Sequence, residues 1–132
     1  EHARKPDRRL LQHLNLTLER MARGGLYDPV TGGFHRYTAD RQWKQPHFEK
    51  MLADQALMSI VYLQGYAQTR NEAHARIARE TLDFCLREMR APAPAGGRPG
   101  GFFTSVAPSS PGARQEGDVY RWTPEQVQAV LG

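Results

Sequence analysis

The 132-residue sequence predicts an all-α fold with a small β-hairpin insertion. Three segments repeat apolar residues every three or four positions, which is the spacing of an amphipathic helix. Further along the chain, two short runs with strand-forming residues flank a loop rich in proline, serine and glycine, which is typical of a β-hairpin. Hydrophobic residues make up 39% and charged residues 24%, so the composition is that of an ordinary globular protein.

Three helices account for the first two thirds of the chain. The first is predicted over residues 6–23, where Gly24 stops it. The second is predicted over residues 46–68, because Pro46 suits a first helical turn. The third is predicted over residues 72–89. The short turn between the last two indicates an antiparallel helical hairpin.

A glycine-rich loop separates the first two predicted helices. Four glycines lie within residues 24–33, where they allow positive φ angles or a close approach of the backbone. Aromatic residues in the same stretch argue against a disordered linker, and residues 34–37 are predicted to be extended. By contrast, residues 91–101 are so rich in proline and glycine that they are predicted to be a flexible loop.

The C-terminal part carries the predicted hairpin and a fourth helix. Residues 102–106 and 119–122 are the two candidate strands. Thr123 is the predicted N-cap of the following helix, with Pro124 in its first turn and Gln126 completing a capping box. The helical faces are apolar enough to need partners, which indicates a piece of a larger helical protein.

Charge and cysteine content narrow the function classes. Lys and Arg total 18 against 14 for Asp and Glu, a net charge of +4, but no nucleic-acid-binding motif accompanies the scattered basic residues. We therefore expect no nucleic-acid partner. The single cysteine, Cys85, rules out an intramolecular disulfide or a cysteine-rich zinc site. With no run apolar enough to span a membrane and no signal-peptide pattern, we expect a cytoplasmic protein with no membrane partner.

The densest polar cluster lies in residues 32–54. His35 and His47 are candidate acid/base catalysts, because imidazole titrates near neutral pH. The candidate substrate-binding residues are Arg36, Tyr37, Asp40, Trp43, Glu49, Lys50 and Asp54. The structural alternative is that the histidines bond loop backbone while the charged side chains are solvated.

The predicted second helix would arrange part of this cluster. On a helix that begins at Pro46, the side chains of His47, Lys50 and Asp54 share one face. A metal site is not expected, because no HExxH motif, EF-hand loop or cysteine partner accompanies the histidines. No phosphate-binding glycine motif is present either, and no cofactor is predicted.

A resemblance to a known family rests on residues 21–57, MARGGLYDPVTGGFHRYTADRQWKQPHFEKMLADQAL. This stretch resembles the signature of the thioredoxin-domain-containing proteins related to spermatogenesis-associated protein 20. The combination of GGFHRY with PHFEKML carries most of its specificity. The resemblance continues through residues 75–89, 100–105 and 119–127.

The resemblance implies a fold and partners. Such proteins have an N-terminal thioredoxin-like domain followed by an (α/α)6 toroid of the six-hairpin type, similar to N-acylglucosamine 2-epimerases. Twelve helices with their loops need at least roughly 200 residues, so residues 1–132 are expected to form a segment of the toroid without the thioredoxin-like domain. We expect the apolar surface left uncovered to favour self-association.

The resemblance also implies a function, namely an epimerase-like domain that acts on a reducing sugar. His35 and His47 would exchange a proton beside the sugar carbonyl. Arg36 and Lys50 would stabilise an enediolate or a bound anion, while Trp43 would stack on the ring.

The sequence departs from the family pattern at three places. Residues 106–119 lose the first aspartates of an acidic stretch that is usual in the family, Ala53 replaces the usual tyrosine, and Gln55 replaces a frequent asparagine. The altered acidic stretch favours a non-catalytic interaction scaffold that partners the thioredoxin-like domain.

Overall fold

The computed structural model describes residues 7–93, 97, 100–107 and 117–132. The helices in these ranges are α1 (Arg8–Arg23), α2 (Leu52–Thr69), α3 (Glu72–Phe84) and α4 (Pro124–Leu131). The strands in the same ranges are β1 (Tyr37–Thr38), β2 (Pro46–His47), β3 (Lys50–Met51) and β4 (Ser105–Val106). A π-helical turn (Cys85–Met89) continues α3, and a 3-10 turn (Asp118–Tyr120) precedes α4. The fold is therefore mainly helical with small antiparallel sheets, as the sequence predicts.

Helix α1 confirms the first predicted helix. The carboxylate of Asp7 caps it by accepting a bond from the backbone N–H of Arg9 at 2.8 Å. The helix ends where the N–H of Gly24 bonds to the carbonyl of Arg20. Its inner face enters a core whose buried members are Leu18, Tyr27, Phe34, Tyr62, Ile77 and Ala78.

Helices α2 and α3 form the predicted antiparallel hairpin. Arg70 turns the chain in the left-handed region, with φ of 56°. Asn71 then caps α3 by accepting a bond from the N–H of Ala73 at 3.1 Å. Gly65 allows α1 to approach α2 closely, because an added Cβ would lie 2.7 Å from Cδ1 of Leu18. The three helices therefore enclose one core.

The predicted start of the second helix at Pro46 is wrong, because α2 begins at Leu52. Strand β2 pairs with β1, so that Tyr37 lies opposite His47. The extended backbone alternates its side chains between two sides. Phe48 and Lys50 are buried, while Glu49 between them is only half-buried.

The helical face predicted for three site residues is consequently absent. His47 and Lys50 lie on strands, and only Asp54 belongs to α2. A local signal, proline in a first turn, favoured a helix here. Pairing with segments distant in the sequence decided the conformation instead, since β3 pairs with β4 as well as β2 with β1.

The predicted C-terminal hairpin is also wrong. Strand β4 pairs with β3, with Val106 opposite Lys50, and Asp118–Tyr120 forms a 3-10 turn instead of a strand. The capping box of α4 is confirmed, since the hydroxyl of Thr123 accepts a bond from the N–H of Gln126 at 3.2 Å.

Two predictions about loops fall partly outside the described ranges. Residues 94–96 and 98–99 of the predicted flexible loop lie outside them, as do residues 108–116 of the altered acidic stretch. At the ends of the first loop, the N–H of Ala91 bonds to the carbonyl of Gly101 at 2.9 Å. Within the described ranges, no helix combines the length and the apolar character needed to span a membrane.

Candidate functional site

The first residues of α2 fix the GGFHRY segment. The side chain of Gln55, which is fully buried, accepts a bond from the N–H of Phe34 and donates one to its carbonyl, both at 2.7 Å. These two hydrogen bonds to the backbone of Phe34 hold the segment against α2. The positions of His35 and Arg36 are therefore set by a side chain that is distant in the sequence.

A cavity of about 410 Å³ lies between α1, the GGFHRY segment and α2, and we call it the central cavity. Some of the predicted site residues line it together, namely His35, Arg36, Tyr37 and Asp54. The rest of its wall is mostly apolar and comes from Met21, Leu26, Phe34, Thr38, Leu57 and Met58. The central cavity thus combines one polar wall with an apolar remainder.

His35 lies in the polar wall and is only 5% exposed. Its Nδ1 is 3.2 Å from the carbonyl oxygen of Phe48. A carbonyl only accepts hydrogen bonds, so Nδ1 carries the proton and Nε2 carries the lone pair. Burial lowers the pKa of His35, and the positive charge of Lys50 lowers it further. The imidazole is therefore neutral at physiological pH and can act as a base.

Two aromatic rings hold the imidazole of His35 in place. The rings of Phe48 and Tyr120 both meet it edge to face, with centroids 5.2 and 5.1 Å away. Phe48 and Tyr120 also stack on each other at 5.2 Å. The base is consequently rigid, which favours a defined direction for its lone pair.

Asp54 lies in the first turn of α2, where the helix dipole favours a carboxylate. Its Oδ2 is buried and makes no hydrogen bond to the described residues. A buried acceptor without a partner is unfavourable by about 1–3 kcal/mol. A ligand hydroxyl in the central cavity would relieve that cost.

Arg36 and Tyr37 form the edge of the central cavity. The guanidinium of Arg36 pairs with the carboxylate of Glu49 at 3.0 Å and remains about half exposed. The ring of Tyr37 is also about half exposed and stacks on the imidazole of His47, with centroids 4.9 Å apart. A cationic and an aromatic group are thus available at the entrance.

His47 lies on the other side of Tyr37. It lines a neighbouring cavity of about 240 Å³ together with Phe48 and Arg121, and Tyr37 lines both cavities. The structure therefore does not bring the two predicted catalytic histidines into one cavity.

Lys50 is buried in an ion pair instead of facing the central cavity. Its Nζ donates to Oδ2 of Asp28 at 2.8 Å, to the hydroxyl of Thr31 at 3.0 Å and to the carbonyl of Gly32 at 2.8 Å. It also lies 4.3 Å from the ring centroid of Phe84. These three bonds use all the donors of an ammonium group, so none remains for a substrate.

Asp28 is the anionic partner in this arrangement. Burial acts to raise its pKa, but the bonds from Lys50 and Thr31 outweigh it and lower the pKa to about 2. Its other oxygen accepts bonds from the N–H groups of Val30 and Thr31. Asp28 therefore ties the glycine-rich loop to β3.

Asp40 and Trp43 build the loop between β1 and β2. Slight desolvation acts to raise the pKa of Asp40, but bonds from the N–H groups of Gln45, Lys44 and Gln42 lower it below its ordinary value. Trp43 has a φ of 58°, and its carbonyl accepts a bond from the N–H of Gly25. Neither side chain lines the central cavity.

Comparison with known proteins shows that this chain is similar to part of longer proteins. No protein-family model matches the chain. The chain is 44% identical over 119 residues to spermatogenesis-associated protein 20 of Mus musculus and 40% identical to that of Homo sapiens, and each alignment covers 87% of this chain. This chain is homologous to part of spermatogenesis-associated protein 20. It spans about 14% of the length of these curated relatives.

A more distant similarity extends the comparison beyond mammals. An uncharacterized protein of Caenorhabditis elegans is 31% identical over 124 residues, which cover 90% of this chain and 16% of the relative.

In this homologue of spermatogenesis-associated protein 20, two side chains that hold other residues in position were not predicted from the sequence. Asp28 and Gln55 are the partners that position Lys50 and the backbone of Phe34. The sequence feature that could have indicated a structural role for Asp28 was an acidic residue within a loop rich in glycine and aromatic residues. For Gln55 it was a polar residue among the apolar residues of a helix. No group of three or more His, Cys, Asp or Glu side chains in the described ranges is placed to hold a metal ion.

Proposed function

We propose that this chain is part of a carbohydrate-active, epimerase-like domain that binds a reducing sugar in the central cavity. The observation that carries the proposal is the polar wall, because the neutral His35 and Asp54, whose Oδ2 has no hydrogen-bond partner among the described residues, line the same cavity. A sugar supplies both the hydroxyl that Asp54 needs and a weakly acidic C–H for the base. The proposed architecture is a segment of an (α/α)6 toroid, which the α2–α3 hairpin supports as one of its repeating units.

The proposed reaction begins with proton transfer beside the sugar carbonyl. Nε2 of His35 takes the proton from the carbon next to that carbonyl, leaving an enediolate. The charge of Arg36 at the edge of the cavity stabilises the developing oxyanion. Tyr37 offers a ring face to the sugar. After its proton exchanges with solvent, Nε2 of His35 returns a proton to the same carbon, which restores the neutral sugar and the free base. His47, the second acid/base candidate, lines the neighbouring cavity.

Deuterium incorporation tests the proposal directly. The chain, with full-length mouse spermatogenesis-associated protein 20 alongside, is incubated with a panel of reducing sugars in heavy water. NMR then follows deuterium entering at C2. We expect uptake that His35→Ala abolishes and that His13→Ala, an exposed histidine of α1, leaves unchanged. A folded protein that promotes no uptake from any sugar contradicts the proposal.

A matched pair of substitutions tests whether Asp54 binds the sugar. Asp54→Asn should weaken sugar binding, whereas Asp83→Asn on the exposed side of α3 should not. Binding is followed by chemical-shift changes in the labelled chain. Equal effects of the two substitutions would exclude Asp54 from the ligand site.

A non-catalytic scaffold that partners a thioredoxin-like domain is the second candidate. The observation that favours it is that the side chains of Asp40 and Lys50 are engaged in internal hydrogen bonds, which removes them from substrate binding. Titration of the labelled chain with the thioredoxin-like domain of the relative would then shift surface resonances. Such shifts without deuterium uptake favour the scaffold over the epimerase.

A further inference from the structure

A separate cavity of about 410 Å³ lies between α1, the glycine-rich loop and α3, and we call it the α1–α3 cavity. Its volume is in the range of small-molecule sites, about 300–1,000 Å³. Its polar lining comes from Glu19 and Arg23 of α1 and from Asn71, His74 and Arg76 of α3. None of these five residues lines the central cavity, and the proposed function uses none of them.

His74 is the buried polar residue of this cavity, with only 1% of its surface exposed. The hydroxyl of Thr69 donates its single hydrogen to the carbonyl of Gly65 at 2.7 Å. It therefore accepts the hydrogen bond that joins it to Nδ1 of His74 at 3.3 Å, so Nδ1 carries a proton. In the uncharged ring Nε2 then carries the lone pair. This Nε2 is buried and has no hydrogen-bond partner among the described residues.

The unpartnered Nε2 lies on the side of the ring that lines the α1–α3 cavity. Nδ1 is directed at Thr69 and Gly65, which both belong to α2. No residue of α2 lines the cavity, so the side of the imidazole that does so is the one opposite Nδ1. A buried acceptor without a donor is unfavourable, and a ligand that brings an N–H or O–H group to Nε2 relieves this.

Charged side chains give the cavity two ends of opposite sign. Glu19 forms the anionic end, where its Oε1 accepts hydrogen bonds from Asn15 at 2.8 Å and from Asn71 at 3.4 Å. Its Oε2 makes no hydrogen bond to the described residues. Arg23 lies one helical turn further along α1, about 5–6 Å away, and forms no ion pair within the described residues. Arg23 and Arg76 form the cationic end.

Contacts between α1 and α3 fix this order. The amide of Asn71, at the start of α3, reaches Glu19. Further along both segments, Tyr27 donates to the carboxylate of Glu80, which also pairs with Arg76 at 3.1 Å. The two helices therefore run side by side in the same direction. His74, one turn from Asn71, consequently lies toward the anionic end.

We propose that the α1–α3 cavity binds a small zwitterion with an ammonium group and a carboxylate, the chemical class of free amino acids. The ammonium donates N–H groups to Nε2 of His74 and to Oε2 of Glu19. The guanidinium of Arg23 binds the carboxylate through charge-assisted hydrogen bonds. A sugar hydroxyl would satisfy Nε2 as well, but it would leave both charged ends of the cavity without an opposite charge.

NMR titration of the isotope-labelled chain with the common free L-amino acids tests the site. We expect saturable shifts of the Nε2 resonance of His74 with at least one of them, and no such shift with reducing sugars. The N-acetyl derivative of that amino acid lacks the ammonium, and its amide lacks the carboxylate. Each derivative should bind at least about tenfold more weakly, because one charged end loses its partner.

Substitutions on the exposed part of α1 locate the ligand without disturbing the core. Arg23→Gln should weaken amino-acid binding by about tenfold, whereas Arg20→Gln, at an exposed position outside the cavity, should not. Asp54→Asn should leave amino-acid binding unchanged, so the proposed sugar site and this site can fail separately. Three results would overturn the proposal. They are no shift of Nε2 with any free amino acid, equal binding of the charge-deleted derivatives, and equal effects of the two arginine substitutions.

Discussion

Asp28 connects strand β3 with the glycine-rich loop through one carboxylate. It receives the ammonium of Lys50 on β3, the hydroxyl of Thr31 and two backbone N–H groups of its own loop. Removing one partner from a buried pair leaves the other charge without compensation, and this costs more than the pair contributes. Lys50 and Asp28 therefore act as one unit.

Lys50→Met should lower the free energy of unfolding by about 3–5 kcal/mol, because it leaves Asp28 buried and unpaired. Urea unfolding followed by circular dichroism measures the change. Arg76→Met is the control, since Arg76 pairs with Glu80 on the exposed surface of α3 and should cost less than about 1 kcal/mol. Equal losses in the two variants would contradict the structural role of Lys50.

His35 gives a prediction about pH. Its pKa in the fold lies below the ordinary value of 6.5, so the unfolded chain binds the proton more readily. The resulting stability is present above pH 6.5 and is lost as the pH falls through the lowered pKa. Over this pH range, the urea concentration at the midpoint of unfolding should decrease as the pH falls. The His35→Gln substitution should weaken this dependence of stability on pH. His13→Gln, at an exposed site, should retain it.

At the scale of elements, the positions of α1, α3 and α4 could be predicted from the residues within and beside each helix. Their apolar spacing and their caps, such as Asn71, suffice to place them. The start of α2 does not follow such signals, because residues 46–51 are held extended by β1 and β4. For the same reason the contacts of Lys50 could not be predicted, since Asp28 lies 22 positions away. His35 and Arg36 reach one cavity because they are neighbours in the chain.

The glycine-rich loop packs directly on α3. Gly32 has a φ of 80°, and an added Cβ would lie 2.6 Å from the carbonyl oxygen of Glu80. Gly32→Ala should therefore destabilise the fold by about 2–5 kcal/mol, from backbone strain and overpacking together. Gly101→Ala meets nothing within 4 Å and should change stability little. Thermal unfolding of both variants checks this, and a tolerated Gly32→Ala would exclude the close approach.

At the scale of the whole molecule, stability is unevenly distributed. The three long helices share one core, whereas the residues of α4 are all exposed. Segments with few buried contacts open most easily, and their amides exchange fastest. The molecule therefore combines a packed helical body with an exposed C-terminal helix.

Hydrogen exchange should show this difference. The amides of α4 should exchange faster than those of α3, because α3 is held by the core and the residues of α4 are all exposed. Mass spectrometry of exchanged peptides measures both helices in one sample. Equal protection of the two helices would contradict the uneven distribution of stability.

Cys85 offers a natural probe of internal motion. It is the single thiol in the sequence and is buried beside Phe84 and Met89, where the π-helical turn meets β4. Burial also raises its pKa, which keeps it in the unreactive thiol form. Alkylation therefore requires that this end of the molecule opens. The labelling rate of one native side chain thus measures how often the cluster of Phe84, Cys85 and Met89 opens, without any introduced reporter group.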